Sequence, residues 1–281
     1  MVDVQSHRDD RNIPIDQVGV SDLRYPIVVL DQHREKQETV ASLSMTVNLP
    51  HHFKGTHMSR FIEVLNEYRG EITMRTLPEI LHSLKERLEA ETARVEVTFP
   101  YFLERIAPVS KAKGLMEYEC TFVGESNGKS DDFVFGVRVP VTSLCPCSKT
   151  ISEYGAHNQR GYVTIEVRSV RKPDGTPEFI WIEELIDIAE KSGSAPVYAL
   201  LKREDEKAVT EQAYDNPVFV EDVVRNVAQK MMDDARVAWF QVKTVNQESI
   251  HNHSAFARIE WKRPSSEWDR STRTADHFII T

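Results

Sequence analysis

The chain of 281 residues carries 44 Asp and Glu against 35 Lys and Arg, giving a formal net charge of −9. We therefore expect no nucleic-acid partner, since a non-specific binder needs a basic surface. Hydrophobic residues make up 40% of the chain, too many for a disordered protein. No apolar run reaches the about 20 residues that a transmembrane helix needs, so no membrane partner is expected. Three cysteines in a long chain predict free thiols and a cytoplasmic location.

Hydrophobic periodicity predicts an alternation of strands and helices in the first half of the chain. Residues 1–25 are polar and lack periodicity, so we interpret them as an N-terminal arm. A period of two predicts strands, and an apolar stripe at helical spacing predicts helices. The predicted elements are strands at 25–31 and 43–49, helices at 60–68 and 76–88, and strands at 95–99, 118–122 and 133–141. We assign residues 26–142 to a first module.

The second half repeats this architectural order. Its predicted elements are a strand at 162–170, helices at 182–191 and 216–231, and strands at 237–245 and 255–261. We assign residues 143–264 to a second module that carries a metal site, and residues 265–281 to a charged C-terminal tail. The predicted fold class is α+β, with two tandem modules whose antiparallel sheets carry helices packed on one face.

A cluster of chemically reactive side chains lies where the two predicted modules join. Cys145 and Cys147 follow a predicted strand, and His157 comes shortly after them. Thiolate and imidazole are ligands that zinc favours, and a catalytic site keeps one position open for water. Cys145 and His157 are therefore a candidate half-site for a metal. The alternative is that the cysteines are small buried side chains at a strand end, because a Cys-x-Cys pair is less specific than paired Cys-x-x-Cys knuckles.

A second cluster contains Glu248, His251 and His253. If this segment is a strand, residues two apart project to the same side, so both imidazoles would face one cleft. The alternative is a pair of surface histidines next to a turn.

A third segment, residues 200–211, is rich in charges of both signs. Such a run is usually a solvated face. Its functional interpretation therefore depends on the rest of the chain.

Taken together, motifs along nearly the whole chain resemble the prokaryotic type IB GTP cyclohydrolase family. These motifs are Asp-Val-Gln (3–5), His-Met-Ser-Arg-Phe (57–61), Ser-Leu-Cys-Pro-Cys-Ser-Lys (143–149), Gly-Ala-His-Asn-Gln-Arg-Gly (155–161), Leu-Leu-Lys-Arg (200–203), Asp-Glu-Lys (205–207), Ala-Tyr-Asp-Asn-Pro (213–217) and Glu-Ser-Ile-His-Asn-His (248–253). The resemblance implies the tunnelling fold, with two modules in each chain and sites at subunit interfaces. It also implies a homotetramer.

The resemblance further implies a metal-dependent hydrolase that converts GTP and water to 7,8-dihydroneopterin triphosphate and formate, the first step of tetrahydrofolate biosynthesis. Opening the imidazole ring of guanine requires hydroxide at C8, and a bound dication lowers the pKa of its water from about 15.7 toward 7. Zinc, manganese and iron all accept sulfur and imidazole ligands, so the native metal stays open. A cyclic phosphate product also stays open.

Each family role falls on a particular residue of this chain. The resemblance implies that Cys145 is the essential metal-binding cysteine and that His157 is its partner ligand. It implies that Glu211 accepts hydrogen bonds from the ring N–H and amino groups of guanine, as an acceptor-only carboxylate can. His251 and His253 would transfer protons or make further metal contacts.

The resemblance leaves open the third metal ligand and the residues that bind the triphosphate. Some family members place a glutamate ligand in the segment that here reads Ser-Ala-Pro-Val-Tyr (194–198), and Pro196 cannot ligate through its side chain. The third ligand is therefore open between water, one of the two histidines, and none. The triphosphate requires local positive charge, for which arginine offers bidentate contacts. The candidates are Lys149, Arg160, Lys202 and Arg203, with Arg60 of another subunit as a further one.

The sequence is also compatible with two alternative functions. One is another tunnelling-fold enzyme acting on a pterin or deazapurine, such as the nitrile reductase of queuosine synthesis, which uses a cysteine and NADPH without a metal. The other is a non-catalytic module in which Cys145, Cys147 and His157 hold a structural zinc, whose removal would unfold it.

Overall fold

The structure is a computed structural model, which describes residues 5, 7–68, 71–73, 76–128 and 130–264. The predicted C-terminal tail at 265–281 and most of the motif at 3–5 lie outside the described residues. No helix within the described ranges is both long enough and apolar enough to cross a membrane.

The described part of the chain forms nine strands and six helices. The strands are β1 (Ile15–Asp31), β2 (Glu35–Leu49), β3 (Ala93–Ile106), β4 (Lys113–Ser126), β5 (Asp131–Leu144), β6 (Asn158–Ser169), β7 (Ala195–Pro196), β8 (Val237–Asn246) and β9 (Ala255–Lys262). The helices are α1 (Met58–Glu67), α2 (Leu77–Leu88), α3 (Pro146–Ile151), α4 (Ile182–Glu190), α5 (Arg203–Asp215) and α6 (Val220–Asp233).

Strand pairing follows a simple order. Hydrogen-bonded neighbours run β1-β2-β3-β4-β5-β6-β8-β9, and the short strand β7 pairs with β5. The pairs β1–β2, β2–β3, β5–β6, β6–β8 and β8–β9 are antiparallel. The predicted fold class, α+β with antiparallel sheet, is therefore confirmed.

Packing divides the chain into two compact units. The first comprises the described residues of Met1–Phe99 and Thr121–Val134, and the second comprises Pro100–Cys120 and Phe135–Pro264. Each unit is made of segments that alternate along the chain, whereas the two predicted modules are consecutive ranges of residues. The module boundaries at 26–142 and 143–264 stay a prediction.

In the first unit, helix α2 buries the stripe that the sequence predicts. Leu77, Ile80, Leu81, Leu84 and Leu88 are all buried, and they recur at the spacing of one helical face. At about 25 cal/mol per Å² of apolar surface, burying one leucine side chain contributes about 2 kcal/mol, so this stripe is a large part of what holds the helix in place.

Strand β1 begins at Ile15, ten residues before the end of the predicted N-terminal arm at 25. Its first part is largely exposed, so apolar alternation does not mark it. The partner strand holds it instead, since Ile15 lies opposite Leu49 of β2. Gly19 approaches that strand so closely that a Cβ there would lie 1.9 Å from the carbonyl oxygen of Met45.

The second unit contains a buried polar network. The Tyr118 hydroxyl donates to Glu190 at 2.6 Å, and Arg105 donates to the Tyr118 oxygen at 3.0 Å. Arg105 also forms an ion pair with Glu190 at 2.8 Å. Burial raises the pKa of Glu190 against the opposing attraction of Arg105. Burial likewise raises the pKa of Tyr118, and the nearby Glu190 acts in the same direction. Arg105 therefore favours the ionised form of Glu190 against the effect of burial.

Candidate active site

Cys145 stands at the junction between strand β5 and helix α3. It is the N-cap residue of α3, and Pro146 in the first turn has the fixed φ that suits a helix start. Its sulfur accepts a hydrogen bond from the backbone N–H of Ser148 at 3.5 Å. The Cys145 side chain is half-buried, whereas Cys147 is exposed on the helix. Local structure therefore gives the two thiols different environments.

His157 lies directly before strand β6, next to Cys145. The backbone N–H of Cys145 donates to the carbonyl oxygen of His157 at 3.1 Å. This bond continues the β5–β6 ladder, in which Leu144 lies opposite Asn158. The structure therefore brings the two predicted metal ligands onto neighbouring backbone segments.

The His157 ring is oriented by two side chains. Its Nδ1 lies 2.8 Å from Oε1 of Gln159 and 3.9 Å from Oε2 of Glu248. The side chains of His157 and Glu248 are 12% and 13% exposed, and Gln159 is buried. With Oε1 of Gln159 as the acceptor, Nδ1 is the donor and Nε2 is left to bind a ligand.

His251 and His253 lie in the connection between strands β8 and β9, so of the two alternatives the residues lie outside a strand. The ladder ends where Asn246 pairs with Ala255, and residues 247–254 leave the sheet. The two exposed rings are nonetheless stacked with centroids 5.1 Å apart, and the His251 ring lies 6.5 Å from that of His157. The loop between β8 and β9 therefore places His251 and His253 near His157.

The sequence interpretation assigned no role to Gln159 or Glu248. Gln159 follows His157 by two positions at the start of a strand, a spacing that places side chains on one face. Glu248 lies in the same motif as the two histidines. These spacings could have identified both residues as neighbours of the imidazoles.

The residues at this site fit a divalent metal. A thiol sulfur and an imidazole nitrogen are the donor types that zinc and related ions prefer. The occupied Nδ1 of His157 is what a metal-binding histidine needs, since its second nitrogen normally bonds to a neighbouring oxygen. Within the described ranges, no group of three or more His, Cys, Asp and Glu converges to hold an ion.

The segment around Pro196 is part of the local scaffold. Strand β7 pairs Pro196 with Val141 of β5, and the Ser194 hydroxyl accepts a hydrogen bond from Leu144 N–H at 3.0 Å. This segment therefore supports the strand end that carries Cys145. The third ligand stays open.

Helix α5 carries most of the remaining predicted binding residues. Lys202 is its N-cap residue, Arg203 begins it, and both are exposed. Glu211, also exposed, forms an ion pair with Lys207 at 3.8 Å. In the part of the chain that the structure describes, no hydrogen bond or ion pair joins Glu211 to Cys145 or His157.

The two other predicted phosphate-binding residues, Lys149 and Arg160, differ in whether their side chains already bind another group. The Lys149 ammonium donates to the carbonyl oxygen of Tyr214 and lies 4.2 Å from the centre of its ring. Lys149 therefore already interacts with the end of α5. Arg160 is exposed at the start of β6.

Asp205 departs from the solvated face expected for residues 200–211, because it is fully buried. Its carboxylate accepts hydrogen bonds from Val109 N–H, from Lys202 N–H, and from both the N–H and the hydroxyl of Ser110, at 2.5–2.8 Å. Burial alone would raise the pKa of Asp205, but these hydrogen bonds hold it well below its usual range. The bonds anchor the start of α5, and with it Lys202 and Arg203.

Solved structures with a similar fold are uricases. Uricase from Arthrobacter globiformis is 10% identical with a TM-score of 0.53, covering 90% of this chain and 96% of that chain. A uricase from Bacillus fastidious is 10% identical with a TM-score of 0.55, covering 88% and 93%. At this identity the likeness shows the fold alone, and that fold is the tunnelling fold.

The chain is thus a protein with the tunnelling fold, in which a cysteine and a histidine lie on adjacent backbone segments. The family model described as "Type I GTP cyclohydrolase folE2" matches residues 1–257. The chain belongs to this family.

Named relatives support the same assignment. GTP cyclohydrolase FolE2 of Syntrophotalea carbinolica is 60% identical, covering 93% of this chain and 95% of that protein. GTP cyclohydrolase FolE2 of Geobacter sp. (strain M21) is 58% identical, covering 94% and 96%.

Proposed function

We propose that this chain is a GTP cyclohydrolase I that converts GTP and water to 7,8-dihydroneopterin triphosphate and formate. This reaction would be the first step of tetrahydrofolate biosynthesis. The observation that carries the proposal is the joining of Cys145 to His157 by the β5–β6 ladder, in a chain of the FolE2 family. The half-buried thiol and oriented imidazole suit a hydrolytic metal site.

Cys145 and His157 would hold the metal, which is zinc, manganese or iron. When bound, the metal supplies hydroxide at neutral pH for attack on guanine C8. The Cys145 sulfur is held at the end of β5, and His157 presents Nε2 because its Nδ1 is occupied. These two side chains thus fix where the hydrolytic step takes place.

His251 and His253 would move the protons of the later steps, which are the loss of formate and closure of the new ring. Imidazole is the side chain that most readily exchanges protons near neutral pH. The two rings are exposed and stacked, and the His251 ring lies 6.5 Å from that of His157. They therefore adjoin the metal ligands while staying open to solvent.

Glu211 would accept hydrogen bonds from guanine, and the exposed Arg160, Lys202 and Arg203 would bind the triphosphate. Asp205 supports this role, because it anchors the backbone of Lys202 at 2.8 Å. Lys149 is the weaker candidate, since its ammonium already bonds to the Tyr214 carbonyl oxygen.

The enzyme would act as a homotetramer in the cytoplasm. Among the described strands, β9 pairs with β8 along one edge and ends the strand order, and closed assemblies cover such terminal edges. The three free cysteines suit a reducing compartment. Sedimentation of the active enzyme is expected to give a species of four chains, and an active monomer would contradict the assembly.

The decisive experiment incubates purified protein with GTP and one of several divalent metals. We expect one formate per GTP and a product that becomes fluorescent as a pterin after oxidation. EDTA should abolish the activity, and added metal should restore it. Mass spectrometry of the product separates the triphosphate from a cyclic phosphate. Full turnover in exhaustively chelated enzyme would contradict the metal mechanism, and no turnover with any metal would contradict the function.

A further inference from the structure

Gln159 is held beside His157 by the same strand pair that carries Cys145. In the β5–β6 ladder, Gln159 lies opposite Ser143, and Asn158 lies opposite Leu144. The ladder then continues through the bond from Cys145 N–H to the His157 carbonyl oxygen. Both proposed metal ligands and the Gln159 side chain are thus fixed to one pair of backbone segments.

The contact between Gln159 and His157 determines the tautomer of the imidazole. The amide Oε1 lies 2.8 Å from Nδ1, and an amide oxygen only accepts hydrogen bonds. With this oxygen as its partner, Nδ1 is the donor, and Nε2 is the ring nitrogen left to bind a ligand. Gln159 is buried, so water cannot readily substitute for it.

Glu248 is an independent reason why Gln159 presents oxygen rather than its NH₂ group. Its carboxylate oxygen lies 3.9 Å from the same Nδ1, and only 13% of the Glu248 side chain is exposed. A carboxylate oxygen only accepts hydrogen bonds, so its position beside Nδ1 suits an N–H there. That proton then requires an acceptor, which the oxygen of Gln159 provides.

We infer that Gln159 is a positioning residue, which holds the His157 ring so that Nε2 is presented to the metal. The inference rests on the proposed metal-dependent function. Groups that orient a metal-binding histidine typically contribute about 10–100-fold in metal affinity. Gln159 would contribute at that level without touching the metal or GTP.

The test measures the affinity of metal-free protein for Zn²⁺ alone, by competition with a chromophoric chelator and without GTP. Gln159→Leu removes the acceptor oxygen and is expected to weaken binding about 10–100-fold. Gln159→Glu keeps an acceptor oxygen and is expected to bind nearly as the wild type does. Because glutamate cannot donate, its rescue also shows that Gln159 accepts from Nδ1.

Gln241→Leu is the matched control. Gln241 lies on β8, which pairs with β6, and its amide donates to Glu166 at 3.2 Å, away from His157. This variant should keep wild-type Zn²⁺ affinity. If Gln159→Leu does not fold, Gln159→Met carries the same expectation, since it keeps the length of the side chain without the oxygen.

Two results would overturn the inference. One is wild-type Zn²⁺ affinity in folded Gln159→Leu or Gln159→Met. The other is equal weakening in Gln159→Glu and Gln159→Leu, which would assign the effect to packing. Wild-type protein that fails to bind Zn²⁺, Mn²⁺ and Fe²⁺ would instead overturn the metal-dependent function on which the inference rests. The two failures are therefore distinguishable.

Discussion

Replacing Cys145 with alanine is expected to lower GTP turnover at least about a hundredfold. Residues that only orient a metal ligand typically contribute about 10–100-fold, and losing a ligand itself should cost no less. The thiol lies at the end of β5, where the backbone joins it to His157. Neither other cysteine shares this half-buried position, since Cys120 is buried and Cys147 is exposed. The measurement is the initial rate of formate release at saturating GTP and metal.

Cys147→Ala is the matched control for this prediction. Cys147 lies two positions further on, on helix α3, and its exposed thiol has no obligatory ligand role in the family resemblance. Its substitution should cause a clearly smaller loss of turnover. Both variants should unfold thermally near the wild-type temperature if the site is open and catalytic. Two outcomes would contradict a catalytic role and assign a structural role to Cys145. One is wild-type turnover in Cys145→Ala, and the other is unfolding of both this variant and the metal-free wild type.

Replacing Arg105 with leucine should destabilise the protein by about 3 kcal/mol at neutral pH, since it leaves the buried carboxylate of Glu190 without its cation. The Glu190 side chain is only 9% exposed, and Arg105 lies 2.8 Å from it. Tyr118 still donates one hydrogen bond to Glu190, but a neutral donor does not compensate a buried charge. Urea unfolding at fixed protein concentration measures the change.

Arg94→Leu is the matched control on the same strand. The Arg94 side chain is 27% exposed, against 22% for Arg105, but its partners Glu96 and Glu125 are 49% and 33% exposed. Ion pairs with solvated partners contribute about 0–1 kcal/mol, so this variant should lose far less stability. Equal losses in the two variants would contradict the role assigned to the buried carboxylate.

The Arg105→Leu deficit should depend on pH. Burial raises the pKa of Glu190 in the folded protein, so the folded state keeps this proton to higher pH than the unfolded state does. Removing Arg105 takes away the attraction that opposes burial and raises this pKa further. The deficit is therefore greatest above the pKa that Glu190 has in the folded variant. It should shrink as pH falls through that value, because a protonated carboxyl needs no cation. A deficit that does not change with pH would contradict this account.

The sequence by itself determined the elements that bury one regular face. The leucine stripe of α2 and the alternation of β2 predict their own structures, because burial of one face imposes a period of 3.6 or 2. It also determined the family, since the motifs carrying Cys145 and His157 recur in order along the chain. Secondary structure of this kind is predicted from neighbouring residues, and the family is recognised from residue identities alone.

Only the tertiary structure decided that Glu248 lies near His157. Glu248 is distant in sequence and reaches Nδ1 because β8 pairs with β6 and its connection to β9 leaves the ladder at Asn246. Tertiary structure also decided that Asp205 is buried within a charged run, because the N–H groups it accepts from lie at Val109 and Ser110. The first half of β1 likewise depends on its partner strand. Pairing and burial of this kind depend on distant segments, so they leave no period in the sequence.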